Sequence, residues 1–141
     1  DLNAPIIHIQ HHGNPGGAFD LDQDRGQIDD RVAPIDGEDV IFKALPNSFA
    51  GTALKGRLKE IARRDLIIVG FQTHMCVSAT TRAALDMGYK NTLIADAIAT
   101  RDLPGAAGGP DIPAADIHNA TLAALADRFA IVVQSVSDIP D

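Results

Sequence analysis

Short unbroken apolar runs, separated by polar or glycine-rich stretches, set the rhythm of this chain. Residues 6–9, Ile-Ile-His-Ile, form a mostly β-branched run behind Pro5 and predict a buried strand. Val40-Ile41-Phe42 predicts a second strand, leading into Lys43. Residues 52–64 place Leu54, Leu58 and Ile61-Ala62 on one face, the spacing of an amphipathic helix. Leu66-Ile67-Ile68-Val69-Gly70 lacks alternation, which predicts a parallel strand covered on both faces. Residues 76–87 read as a helix of small residues ended by Gly88, and Thr92-Leu93-Ile94-Ala95 as a strand ending at Asp96. A last helix is predicted over residues 114–127 and a last strand over Ala130-Ile131-Val132-Val133.

Between these elements lie two loops. Residues 11–38 carry many Gly, Asp and Pro and little periodicity, as functional loops often do, and residues 101–113 form a second proline- and glycine-rich loop. The order strand, loop, strand, helix, strand, helix, strand, helix, strand implies a parallel sheet with helices on both faces and right-handed crossovers. No internal repeat is visible. A length of 141 residues and a hydrophobic content of 45% suit a single domain with one core.

A net charge of −7 argues against nucleic acid as a partner, because phosphate binding needs a basic surface. No apolar run approaches the ~20 residues that span a bilayer, so no membrane partner is expected. The start, Asp1-Leu2-Asn3-Ala4-Pro5, lacks the basic-then-apolar pattern of a signal peptide. The chain has one cysteine, which cannot form an internal disulfide and suits a reducing, cytoplasmic compartment. By itself such a residue is most simply a small buried hydrophobe.

Its neighbours change that reading. In open α/β sheets ligands bind beyond the carboxyl ends of the strands. The segments after Ile9, Phe42 and Val69 carry His11, His12, Lys43 and Gly70-Phe71-Gln72-Thr73-His74-Met75-Cys76. Cys76 falls at the predicted start of a helix, where unpaired N–H groups and partial positive charge favour a thiolate and can hold an oxyanion. Lys43, if close, adds a positive charge or moves a proton; the simpler alternative is a solvated lysine at a strand end. Adjacent His11 and His12 point oppositely in an extended segment and have no third ligand at a clear spacing, so no metal is expected and they are read as lining or rimming a pocket. His74 could be the base of a Cys–His pair, but packing or substrate contact is the preferred reading. His118 reads as a structural hydrogen-bonding histidine. Gly13-Asn14-Pro15-Gly16-Gly17 lacks the order of a dinucleotide loop, and no cofactor is expected.

Gly70-Phe71-Gln72-Thr73-His74-Met75-Cys76-Val77, with Thr80 and Ala84, resembles the G-x-x-T-x-x-C-V-x-x-T-x-x-x-A signature of the isochorismatase-like cysteine hydrolases. Lys43 with Phe49, Thr52, Leu54 and Leu58 is similar to that family's catalytic-lysine segment, Asp96-Ala97 to its D-A pair, and His118 to a histidine of its last helix. The resemblance runs from Pro5 to about Val133. It implies a three-layer α/β/α fold and a Cys–Lys–Asp triad that cleaves a small amide or ureido C–N bond through a thioester-type intermediate. Cys76 would be the nucleophile and Lys43 the triad lysine. A cis peptide would join Phe71 to Gln72, with the Gln72 and Cys76 N–H groups as the oxyanion hole. The pocket would draw on Phe19, Phe49, Phe71, His74 and His11.

The triad aspartate normally ends the family's first strand, and this sequence begins after that point, with Asp1-Leu2 as a link into the second strand. The domain is therefore read as lacking its first strand and helix. Two further departures are Asn47-Ser48 before Phe49 and Gln10-His11-His12-Gly13 where the nicotinamidase branch carries an Asp-x-His metal set. The resemblance also implies a small-molecule substrate and a homo-oligomer, a dimer or tetramer. Vinyl-ether hydrolysis is an alternative that would not need the cysteine, and a non-catalytic binding protein of the same fold is another.

Overall fold

The computed structural model describes residues 4–139; the Asp1-Leu2 link lies outside the described residues. Two compact units divide the chain, residues 1–62 and 63–141.

In the first unit, β1 (Ile7–His11) and β2 (Asp39–Lys43) pair in parallel from Ile7↔Asp39 to His11↔Lys43. Parallel strands need a long crossover, and residues 12–38 supply it as loop with two short 3-10 turns, Asp24–Gly26 and Asp30–Val32. The loop folds back on the strand end: the Gly13 N–H donates to Phe19 O at 2.8 Å and the Gln10 amide to Gly26 O at 2.7 Å. Gly26 is required there, since a Cβ would overlap the Asp20 carbonyl. Helix α1 (Leu54–Ile61) is shorter than the predicted 52–64. At its start the Thr52 hydroxyl accepts the Leu54 N–H (3.2 Å) while donating to Ser48 O (2.5 Å). At its end Ala62 turns left-handed (φ 58°), which stops the helix before Arg63-Arg64. An ion pair between Arg57 and Asp39 ties α1 to β2, and Phe49, Leu54 and Leu58 are buried.

In the second unit, β3 (Asp65–Phe71), β4 (Lys90–Ala99) and β5 (Ile131–Val133) form a parallel sheet in that order. Helices α2 (Ser78–Asp86) and α3 (Ala114–Arg128) are the crossovers. One core cluster gathers Val77, Leu93, Ile98, Leu122 and Leu125, with Ile68, Phe129 and Val132 packed against it. Asn91 holds two layers together, its amide donating to Thr81 O at 3.1 Å and Phe129 O at 3.0 Å. Among the described residues no helix is long and apolar enough to cross a membrane.

β3 departs from the covered strand its composition predicts. Its burial alternates, and Ile67, Val69 and Phe71 are 55%, 51% and 74% exposed. The pleat sends Ile68 into the core and Ile67, Val69 and Phe71 to the opposite face, which stays open.

Leu125 is fully buried at the centre of the second unit's cluster. Leu125→Ala is expected to destabilise this unit by about 2–5 kcal/mol, through lost transfer energy and the cavity left behind. Urea denaturation checks it.

Candidate active site

The carboxyl end of β3 runs through a cis peptide between Phe71 and Gln72 into a π-helical turn, Thr73–Val77, and only then into α2. Residues 76–87 were expected to form one helix with Cys76 at its start; instead Cys76 lies inside the wider turn that precedes the α-helix. The turn is wide because two N–H groups share one acceptor. Met75 and Val77 donate to Gln72 O at 3.0 and 3.2 Å, the second being the i→i−5 bond of a π-turn. Such turns are frequent at functional sites.

Side chains fix this turn from several directions. Thr73 is fully buried, and its hydroxyl lies 2.9 Å from His118 Nδ1 on α3. His74 Nδ1 lies 2.6 Å from the Thr100 hydroxyl, just past the end of β4. Val77 plugs the core, and its carbonyl accepts the Thr81 hydroxyl at 2.8 Å. Cys76 itself is partly buried. Burial, followed by the positive charge of Arg101, lowers the His74 pKa below its ordinary 6.5, so its ring favours the neutral form.

The first unit gathers a second set of residues. His11 and Lys43 are register partners at the carboxyl ends of β1 and β2, and the Lys43 ammonium lies 3.1 Å from His11 Nδ1. Lys43 is buried, at 6% exposure, and also donates to Leu45 O at 3.0 Å. It is not the solvated lysine that a strand end would ordinarily carry. The ring of Phe19 sits 4.9 Å from that of His11, tilted by 52°. Burial comes first among the causes that lower the His11 pKa, followed by the charges of Lys43 and His12. Asp20 anchors the loop behind Phe19 by accepting the Gly16 and Asp22 N–H groups at 2.6 and 3.0 Å, which hold its carboxyl below the usual range.

Of the residues expected at the site, His11, Phe19 and Lys43 come together in the first unit, and Gln72, His74 and Cys76 share one turn in the second. Phe49 is buried, whereas Phe19 and Phe71 keep exposed ring surface. Asp96, inside β4, is exposed and accepts the Gln134 amide, just past the end of β5, at 2.6 Å. Among the described residues no three His, Cys, Asp or Glu side chains converge as metal ligands would. Thr100 and Leu45 O escaped the sequence reading. Thr100 lies 26 positions from its partner His74, and the Leu45 contribution is a backbone carbonyl, so neither leaves a motif.

Residues 1–137 match the isochorismatase domain family. The chain belongs to the isochorismatase family. A crystal structure of an isochorismatase from Pseudomonas putida is 46% identical with a TM-score of 0.90, covering 96% of this chain and 69% of that one. The isochorismatase family member thus has the three-layer α/β/α fold, with parallel strands flanked by helices. Streptothricin hydrolase of Streptomyces noursei is 37% identical over 92% of this chain, which spans 52% of that relative. N-carbamoylsarcosine amidase of an Arthrobacter is 38% identical over 56% of this chain and 30% of its own length. The protein is accordingly a hydrolase of this family.

Thr73→Val keeps the shape of the buried side chain and removes its hydroxyl, leaving His118 Nδ1 without that partner. The variant is expected to lose about 1–3 kcal/mol of stability. It should also lower the hydrogen-exchange protection of the Met75 and Val77 amides more than that of the β4 amides. Hydrogen exchange read by NMR checks both.

Proposed function

We propose that this protein hydrolyses a small amide or ureido C–N bond through a thioester on Cys76, with Lys43 as the partner that exchanges the proton. The observation that carries this reading is the place of Cys76. It sits in a turn of closely spaced backbone N–H groups at the carboxyl end of a parallel strand, held by two Thr–His pairs. Strand ends of this kind are where open α/β folds bind ligands. The match of Lys43 and its following segment to the family's lysine motif, and the amidase among the relatives, support the partner and the bond cleaved.

In this reading the thiol proton passes to Lys43, giving an ammonium and a thiolate. The sulfur forms a bond to the carbonyl carbon, and the displaced electron pair goes to the carbonyl oxygen. N–H groups of Gln72 and Cys76 stabilise that oxyanion. Collapse breaks the C–N bond, and the Lys43 ammonium returns its proton to the departing nitrogen. Water then adds to the thioester and leaves a proton on Lys43. The C–S bond breaks, releasing the acid and restoring the thiolate. The aspartate that orients the lysine in the family pattern is not among residues 1–141 of this sequence in the matching place.

Ammonia release from a panel of small primary amides and N-carbamoyl amino acids tests the proposal. Cys76→Ser is expected to lower kcat/KM for any compound turned over by about 10³-fold or more, as loss of a nucleophile does. Turnover that survives Cys76→Ser at the original rate contradicts the reading.

A further inference from the structure

Lys43 is buried, and a buried ammonium needs acceptors on every side that water has left. One is the Leu45 carbonyl, which is fixed in the backbone and cannot titrate. Another is His11 Nδ1, at 3.1 Å, on the strand position directly paired with Lys43. An imidazole accepts at Nδ1 only while that nitrogen keeps its lone pair, which puts the ring proton on Nε2. We infer that neutral His11 is a positioning residue of Lys43, helping to hold its ammonium in place, and that protonation of the ring at Nδ1 loosens the lysine and disarms the site. This inference rests on the reading of Lys43 as the proton partner of Cys76.

The surroundings of His11 favour that neutral ring. Phe19 covers one side of it, and the loop holding Phe19 is pinned by Asp20 and closed at Gly26. The charged or titratable groups facing His11 are Lys43 from β2 and its own neighbour His12. The Asp20 carboxylate is engaged by the Gly16 and Asp22 amides and lies toward His12 and Arg25. Proton uptake by His11 would place an imidazolium against the Lys43 ammonium, so burial and this charge both push the ring toward titrating below its ordinary range.

Two measurements test the inference. The first follows the His11 ring signal by NMR through a pH titration in the wild type and in Lys43→Met, and requires no change at His11. With Lys43 uncharged, the His11 midpoint is expected to rise toward the ordinary ~6.5. An unchanged midpoint overturns the inference.

The second reads iodoacetamide alkylation of Cys76 between about pH 5 and 9, a range that spans the histidine transition. His11→Phe keeps the ring packing against Phe19 and removes the acceptor, whereas His11→Asn supplies an amide oxygen near the position of Nδ1. His11→Phe is expected to slow alkylation roughly tenfold, as Lys43→Met does, the scale of a lost hydrogen bond to a charged group. His11→Asn should restore the rate without the inflection expected of the wild type at the His11 midpoint. If Lys43→Met is slow but His11→Phe matches the wild type, the role of His11 is overturned and the Cys76–Lys43 reading stands. If Lys43→Met itself alkylates at the wild-type rate, the Cys76–Lys43 reading falls, and this inference falls with it.

Discussion

The turn that carries Cys76 is five residues long and cannot bury enough surface to hold its own shape. Its conformation depends on the Thr73 hydroxyl, sealed from solvent and joined to His118 on the last helix. An unpaired hydroxyl at that depth would cost about 1–3 kcal/mol, so the bond selects the one arrangement in which β3, the turn and α3 meet. Val77, at the end of the same turn, is part of the hydrophobic cluster with Leu93 and Leu125. The position of the sulfur is thus set by the core of the second unit, and a substitution in α3 can move it without touching it.

The first unit solves a related problem with a charge. Parallel pairing of β1 with β2 brings His11 and Lys43 to the same end of the sheet, and burial of Lys43 then demands acceptors. A carbonyl and a histidine nitrogen are among those that provide them. The long loop 12–38 follows from the same need. It returns the chain for parallel pairing and, closed by Gly26 and Asp20, lays Phe19 over His11. A crossover made of loop where a helix is usual lets one segment connect strands and cover a side chain.

Much of this was legible in the sequence. Each strand among the described residues contains a β-branched or apolar run, although β4 continues past its expected end at Asp96 to Ala99, and the helices from Leu54 and Ala114 follow from the spacing of Leu54 and Leu58 and from the alternation of elements. The order of strands and helices was enough to give the fold class, because parallel strands restrict the connections that work. What escaped depends on distant or backbone partners. An apolar run such as Leu66–Gly70 reads the same in a strand covered on both faces as in one covered on a single face, and only the packing of layers distinguishes them. The π-turn before α2 arises from two N–H groups converging on Gln72 O, and side-chain periodicity carries no record of that. From sequence His11 reads as pocket lining, and its register with Lys43 across 32 positions becomes visible only once the strands are paired.

A covalent intermediate on Cys76 is the central claim, and trapping it is the most direct test. An amide turned over by the protein would be mixed with it, the reaction quenched with acid within a turnover, and the intact mass and peptide map recorded. The expected result is a transient mass increase equal to the acyl portion of the substrate, on the peptide containing Cys76, that decays as free acid appears. Steady turnover with no adduct on that peptide, or with the adduct on another residue, would contradict it.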